Sequence, residues 1–322
     1  MRKYIVYISL LIIHISCNTS KYENVETVEW SDFKIAKNIT AKELNFENSL
    51  RPTDILVKDS ILITIELQSD KIFQVYNLNS MERINECINI GQGPNDMLIP
   101  QFMEMRGDEL NVLDLATYSV YTFDFNDFII NPVTEPIRKI KLEAPIFVTA
   151  QFLGNNIVGK SFNPEYQLTL FGIKGEKIKD FATYPSSSMN YTDAERIEAS
   201  YMKLVTNDLG KIAIFYYMTD LLEIYGSDQQ LLKRVHGPDH FYSEFKEKEH
   251  GIASPKRDVS RDAFVCPRNA GNNLFVLYNG KFIHDPDHTS ACSKLLSFSW
   301  EGVPDVFYNL NDPLISFDID QK

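Results

Sequence analysis

The sequence predicts an all-β fold: a six-bladed β-propeller of four-stranded antiparallel blades, its ring closed by pairing the N- and C-terminal strands. Three observations predict it. A four-strand unit recurs with a beat of about fifty residues, the period of a propeller blade. Within its strands apolar and polar residues alternate, the two-residue period of a half-buried strand. Apolar segments are left over at both ends of the chain, enough to build one further blade from the two termini.

The clearest copy of the unit spans Ser60 to Asn79, where two alternating strands are joined by a polar turn. Its inner strand starts at Asp54, its second at Ser60, its third at Lys71 and its outer strand at Ile84. The same order of strands recurs from Phe102, Asp108, Tyr118 and Ile137, then from Phe147, Asn155, Tyr166 and Lys177. It recurs again from Tyr201, Gly210, Asp220 and Leu231, and last from Asp262, Asn272, Ser293 and Asp305. The chain carries 21 Phe and 16 Tyr, residue types that fit a pleated surface, which agrees with strands throughout. Segments 25–30 and 39–46 at the start and 313–319 at the end supply the expected sixth, shared blade, which removes the open edge a sheet must otherwise protect. Seven blades need more chain than there is. Helix signals are few: Asp193 to Leu204, with Asp193 as cap, and a short stretch from Ser243 to His250.

Turn composition separates two faces. The turns from first to second strand are tight and rich in Gly, Asn and Asp, as at Gly107-Asp108 and Gly271-Asn272-Asn273. Most third-to-fourth turns, on the same face, are also short, with 124–136 the exception. The long pieces are the crossovers 184–200 and 236–261 and the loop 279–291, all on the other face. Long loops on a rigid scaffold often carry binding groups, so this second face is where a ligand is expected.

Three stretches there bear polar side chains suited to a ligand. In the crossover GQGPND, two glycines allow unusual backbone angles and Pro94 stops a ladder, and Gln92, Asn95 and Asp96 are the candidate contacts. Without GK[ST], and following an outer strand, it is no phosphate loop. HGPDH repeats the plan and offers His236, Asp239 and His240. HDPDH offers His284, Asp285, Asp287 and His288, side chains that suit a divalent metal, although Asp-Pro equally starts a turn. No nucleophile motif is present, and no cofactor is expected. The leading reading is a binding or scaffolding module without catalytic residues. The alternative is a propeller enzyme, a metal-dependent lactonase or other hydrolase or a lyase, with its site in the axial channel. The inner strands offer no unmistakable ligand set for it, and Glu104, Asn269 and Asp318 are the sort of residue that would serve.

The formal charge is −12, which excludes a basic nucleic-acid surface. Arg2 and Lys3 precede an apolar run from Ile5 to Ile15, too short to span a bilayer, so residues 1–16 read as a signal peptide. Its end at Ser16-Cys17 resembles a bacterial lipobox, in which Cys17 is acylated. An ordinary cleaved signal is the other reading. Residues 17–24 then form a polar tether, in which nothing requires structure, and 25–322 form the propeller. Three further cysteines, Cys87, Cys266 and Cys292, leave at least one free thiol in an exported chain. Cys266 and Cys292 either pair or act, like Cys87, as buried small apolar groups.

Together, Cys17, the blade beat, Val75-Tyr76-Asn77-Leu78 and Ile90-Gly91-Gln92-Gly93-Pro94-Asn95-Asp96 resemble the six-bladed β-propeller lipoproteins with a TolB-like or NHL-like domain found in Gram-negative anaerobes. The resemblance covers 25–319. It implies a propeller fold and a cell-envelope location, lipid-anchored on the periplasmic side or at the outer surface. The expected partner is an envelope protein or a glycan, with the membrane touched only through lipid at Cys17.

Overall fold

The computed structural model describes residues 20–46, 49–248, 252–286 and 288–320. Residues 1–16, read above as a signal peptide, Cys17 and Asp287 lie outside them. Among the described residues no helix is long and apolar enough to cross a membrane.

Five four-stranded antiparallel blades follow one another along the chain. Blade 1 is Asp54–Lys58, Ile61–Ile65, Lys71–Asn77 and Glu82–Asn89; blade 2 is Pro100–Arg106, Glu109–Asp114, Ser119–Asp124 and Arg138–Lys141. Blade 3 is Ile146–Leu153, Asn156–Ser161, Tyr166–Phe171 and Lys177–Thr183; blade 4 is Met202–Thr206, Ile212–Tyr216, Leu221–Tyr225 and Leu231–His236. Blade 5 is Phe264–Ala270, Asn273–Tyr278, Cys292–Ser299 and Pro304–Leu314. Each strand of the repeat falls where the alternation places it.

The expected sixth blade is not formed among the described residues. Glu26–Thr27 instead adds in parallel to the outer strand of blade 4, and Lys34–Ile39 adds in parallel to the outer strand of blade 5. Packing explains the choice. Between those two short strands Val28 and Phe33 are buried in the blade 4–5 core, with Trp30 against Phe307. That apolar anchor fixes both strands to existing edges. Pro313 and Leu314 end the last strand of blade 5 rather than starting a new blade.

Four seams between consecutive blades are apolar cores. The seam between blades 5 and 1 is built differently. There the segment after Leu314 buries Phe317 against blade 5 and presents Asp318 to blade 1. Asp318 Oδ2 accepts from the Val57 amide at 2.7 Å. Arg268, on the inner strand of blade 5, donates to Asp54 of blade 1 at 2.7 Å and lies 3.4 Å from Asp318. Ser316 donates to the same Asp54 carboxylate at 2.9 Å.

The helix in the crossover to blade 4 is Asp193–Ala199, capped by Thr192 rather than Asp193, with Glu195 completing a capping box. The second expected helix is a hairpin instead: Phe245–Lys248 pairs with Ile252–Pro255. Phe245 and Ala253 are buried with Met218 above the ring, and the two-residue period of a strand meets that need.

The expected free tether is docked from Ser20 onward. Ser20 Oγ lies 3.1 Å from His236 Nδ1 and 2.9 Å from Tyr242 Oη, while the Lys21 amide donates to Tyr242 Oη at 2.7 Å. Tyr22 is buried, and the Glu23 amide donates to Ser186 O.

Candidate functional site

A cavity of about 480 Å³ lies on the ring axis, walled by the inner strands of all five blades and by Asp318 to Asp320. Its wall comes from the ends of those strands: Ile55 to Asp59, Phe102 to Gly107, Gln151, Phe152 and Gly154, Val205 to Asp208, and Pro267 to Asn269. Inner strands run from the crossovers to the tight turns. The cavity therefore opens on the short-turn face, opposite the long loops where a ligand was expected.

Bulges shape its wall. Register shifts interrupt the inner strand of blade 2 between Phe102 and Glu104, that of blade 3 between Ile146 and Ala150, and that of blade 5 between Val265 and Arg268. An extra residue re-aims the side chains that follow it. Val148 (φ 64°) and Cys266 (φ 50°) sit in the left-handed region, which is strained for a β-branched residue such as valine. At Val148 the strain has a visible use: its carbonyl accepts from Lys203 Nζ at 3.0 Å. Lys203 also donates to Gln101 Oε1 at 2.9 Å, tying the inner strands of blades 2, 3 and 4 together at the axis. Burial lowers the Lys203 ammonium pKa, with Asp54 opposing.

Within the cavity wall Glu104 lies 3.4 Å from Arg106 Nε, and the Arg106 guanidinium sits over the Phe152 ring at 5.0 Å. Burial pushes the Glu104 carboxyl up to about 7, with Asp208 adding to the shift and Arg106 opposing it. A carboxyl protonated in the folded chain but ionised in the unfolded chain means that folding takes up a proton. Stability should therefore fall as pH rises from about 4.5 to 7. Glu104→Gln is expected to remove this loss, raising stability at pH 8 by about 1–2 kcal/mol relative to the parent and leaving it nearly unchanged at pH 4.5. Urea midpoints at the two pH values measure it.

Glu104, Asn269 and Asp318 all line this cavity. For metal binding the fit is poor. Asp318 is held by Arg268 and the Val57 amide, and Glu104 by Arg106. Among the described residues no three acidic, His or Cys side chains converge as a metal site would need.

The motif residues lie elsewhere. Asp96 folds GQGPND on itself, accepting from the Gly93 amide at 3.0 Å and from Asn89 at 3.2 Å. A β-carbon on Gly91 or Gly93 would come within 2.6 Å of its carboxylate, so a side chain at either position would displace Asp96 from this turn. Gln92 is exposed and Asn95 half-buried beside them. His236 is fully buried, with Nε2 3.2 Å from both Asp220 and the Phe241 carbonyl. Asp220 also accepts from the amides of Asp239, His240 and Phe241, and Asp239 from Trp30 and Tyr278. HGPDH is thus clamped from within. In the third motif His284 lies against the Arg257 carbonyl, Asp285 accepts from the Phe282 amide, and His288 is 2.7 Å from Asp262. The structure does not bring these groups to the axial cavity. Arg106, Asp208, Lys203 and Arg268 were missed by motif. For Arg106, Lys203 and Arg268 the signal was a charge on an inner strand, as Lys203 is between Met202 and Leu204, whereas Asp208 lies in the turn after such a strand. The three thiols Cys87, Cys266 and Cys292 are free, so Cys266 and Cys292 do not pair.

A family model described as TolB-like 6-blade propeller-like matches residues 29–322. No curated protein sequence matches. Among solved structures, a candidate exported protein of Bacteroides fragilis aligns at 11% identity and TM-score 0.46, covering 90% of this chain and 75% of that one. A DUF4221 family member of Bacteroides vulgatus aligns at 8% identity and TM-score 0.45, covering 84% and 86%. BamB of Moraxella catarrhalis aligns at 9% and 0.41, covering 83% and 80%.

Proposed function

Because the chain belongs to the TolB-like 6-blade propeller-like family, we propose that it is a binding module of the cell envelope, lipid-anchored through Cys17, that takes a protein or carbohydrate-type ligand at the axial cavity. The observation that carries this reading is the cavity wall itself. All five blades contribute to it, and the inner strands are braced by Lys203 and Arg268, so the wall is preorganised. Arg106, seated on the Phe152 ring, and Asn207 offer a cation and an amide to a polar ligand.

A protein partner gains support from a loop at the outer edge of blade 2. Ile130 and Val133 are 72% and 77% exposed on the same short-turn face. They stand on a loop fixed by Asp127, which accepts from Asn131 and Thr134. Rigid, exposed aliphatic groups on the face where the cavity opens suit a protein surface.

The test is capture of envelope extract and of a glycan array by the purified chain. Arg106→Ala should weaken capture about tenfold or more, while Gln92→Ala leaves it unchanged. Capture that survives Arg106→Ala and is lost on Gln92→Ala would move the site to the long-loop face. The enzymatic alternative keeps one supporting observation, the presence of Glu104, Asn269 and Asp318 in one cavity. Stoichiometric divalent metal in the purified protein, lost in Glu104→Gln, would favour it.

A further inference from the structure

The docking of residues 20–23 fixes which way the propeller faces. We infer that the long-loop face lies against the membrane and that the axial cavity opens away from it, so the ligand arrives from the aqueous side rather than from the lipid. This rests on the acylated Cys17 proposed above and adds an orientation to it.

The argument is one of reach. Ser20 is held on the long-loop face by His236 and Tyr242, at the crossover out of blade 4. Tyr22 continues the contact, donating to Thr219 in the second-to-third loop of the same blade and packing edge-on against His236 at 5.2 Å. The Ser188 amide donates to the Lys21 carbonyl, adding the crossover out of blade 3. Three residue steps separate Cys17 from Ser20, and a chain spans at most about 3.6 Å per residue, so the backbone of Cys17 can reach no further than roughly 11 Å from Ser20. The headgroup layer is about 6 Å thick. Little chain remains to lift the propeller off the bilayer. The opposite face is a strand length away, about 20 Å, beyond what those three steps can reach. The short-turn face, with the cavity mouth, Ile130 and Leu209, is therefore the outward one.

The experiment uses the full chain, acylated, in phosphatidylcholine vesicles carrying a headgroup spin quencher. A fluorophore is placed at Asn190→Cys, exposed in the long-loop crossover, or at Leu209→Cys, exposed in a tight turn, with Cys266→Ser in both. Quenching at position 190 should exceed that at 209 by about threefold or more. Inserting ten Gly/Ser residues between Asn18 and Thr19 adds a root-mean-square reach of about 17 Å and should reduce the difference towards equality. Equal quenching without the insertion, stronger quenching at 209, or a difference that the insertion leaves intact would overturn the orientation. Acyl labelling that persists in Cys17→Ala would overturn the anchor itself, and the two failures are read separately.

Discussion

Arg234→Ala is expected to destabilise the protein by about 3–5 kcal/mol and to lower its melting temperature by roughly 5–10 °C, followed by urea or thermal unfolding. Glu223 is fully buried in blade 4, and among the described residues Arg234 is its one cation in contact, with Nε 2.7 Å and Nη2 2.6 Å from Oε1. The other carboxylate oxygen accepts from Tyr216 at 2.7 Å, Tyr225 at 3.0 Å and Gln167 at 3.0 Å. Burial, and then the Glu223 charge, push both phenols up, so they remain donors. Removing the guanidinium leaves three neutral donors on a charge that has lost its counter-ion in a low-dielectric site. It also releases the Glu23 carbonyl, to which Arg234 donates at 2.6 Å. Replacing both Glu223 and Arg234 by apolar residues should cost less than the single change, because no charge is then stranded. A single variant as stable as the parent would show that the network does not hold blade 4 together.

Lys160→Met is expected to act in the opposite direction. Lys160 is fully buried in blade 3, and among the described residues its ammonium meets the Ser161 carbonyl and the Tyr184 hydroxyl at 3.2 Å, with the Tyr184 ring at 4.8 Å. Burial pushes it down to about 7, with Glu198 opposing. Tyr184 is pushed up to about 12 by burial, with the Arg196 guanidinium opposing and Asp193 adding to it, so the hydroxyl keeps its proton. Between pH 7 and about 10.5 the unfolded chain holds a proton that the folded chain has released. The parent's stability should therefore rise with pH across that window, and below it the full penalty, at most about 5 kcal/mol, remains. Methionine fills a similar volume without the charge. The variant should be about 3 kcal/mol more stable at pH 6, with the gain shrinking towards pH 10. A variant less stable than the parent at pH 6 would contradict this.

Alternation and turn composition located all twenty blade strands, because each depends on local period and local turn residues. The termini were less legible. Strands of two and six residues, Glu26–Thr27 and Lys34–Ile39, carry no sign of the edge they will join, which is set by where Val28 and Phe33 find a core. HGPDH looked like an exposed ligand loop because Asp220, the acceptor that clamps it, lies some twenty residues away and bears no motif. The cavity was partly legible in Glu104, Asn269 and Asp318. Its position was not, because strand direction and bulges decide which end of an inner strand widens into a pocket.

Hydrogen exchange of the protein with and without its captured ligand tests most directly whether the axial cavity is the binding site. Protection gained at 55–59, 102–107 and 205–208, with 184–200 and 279–291 unchanged, is the result this account predicts. Protection confined to those two long-loop segments would contradict it.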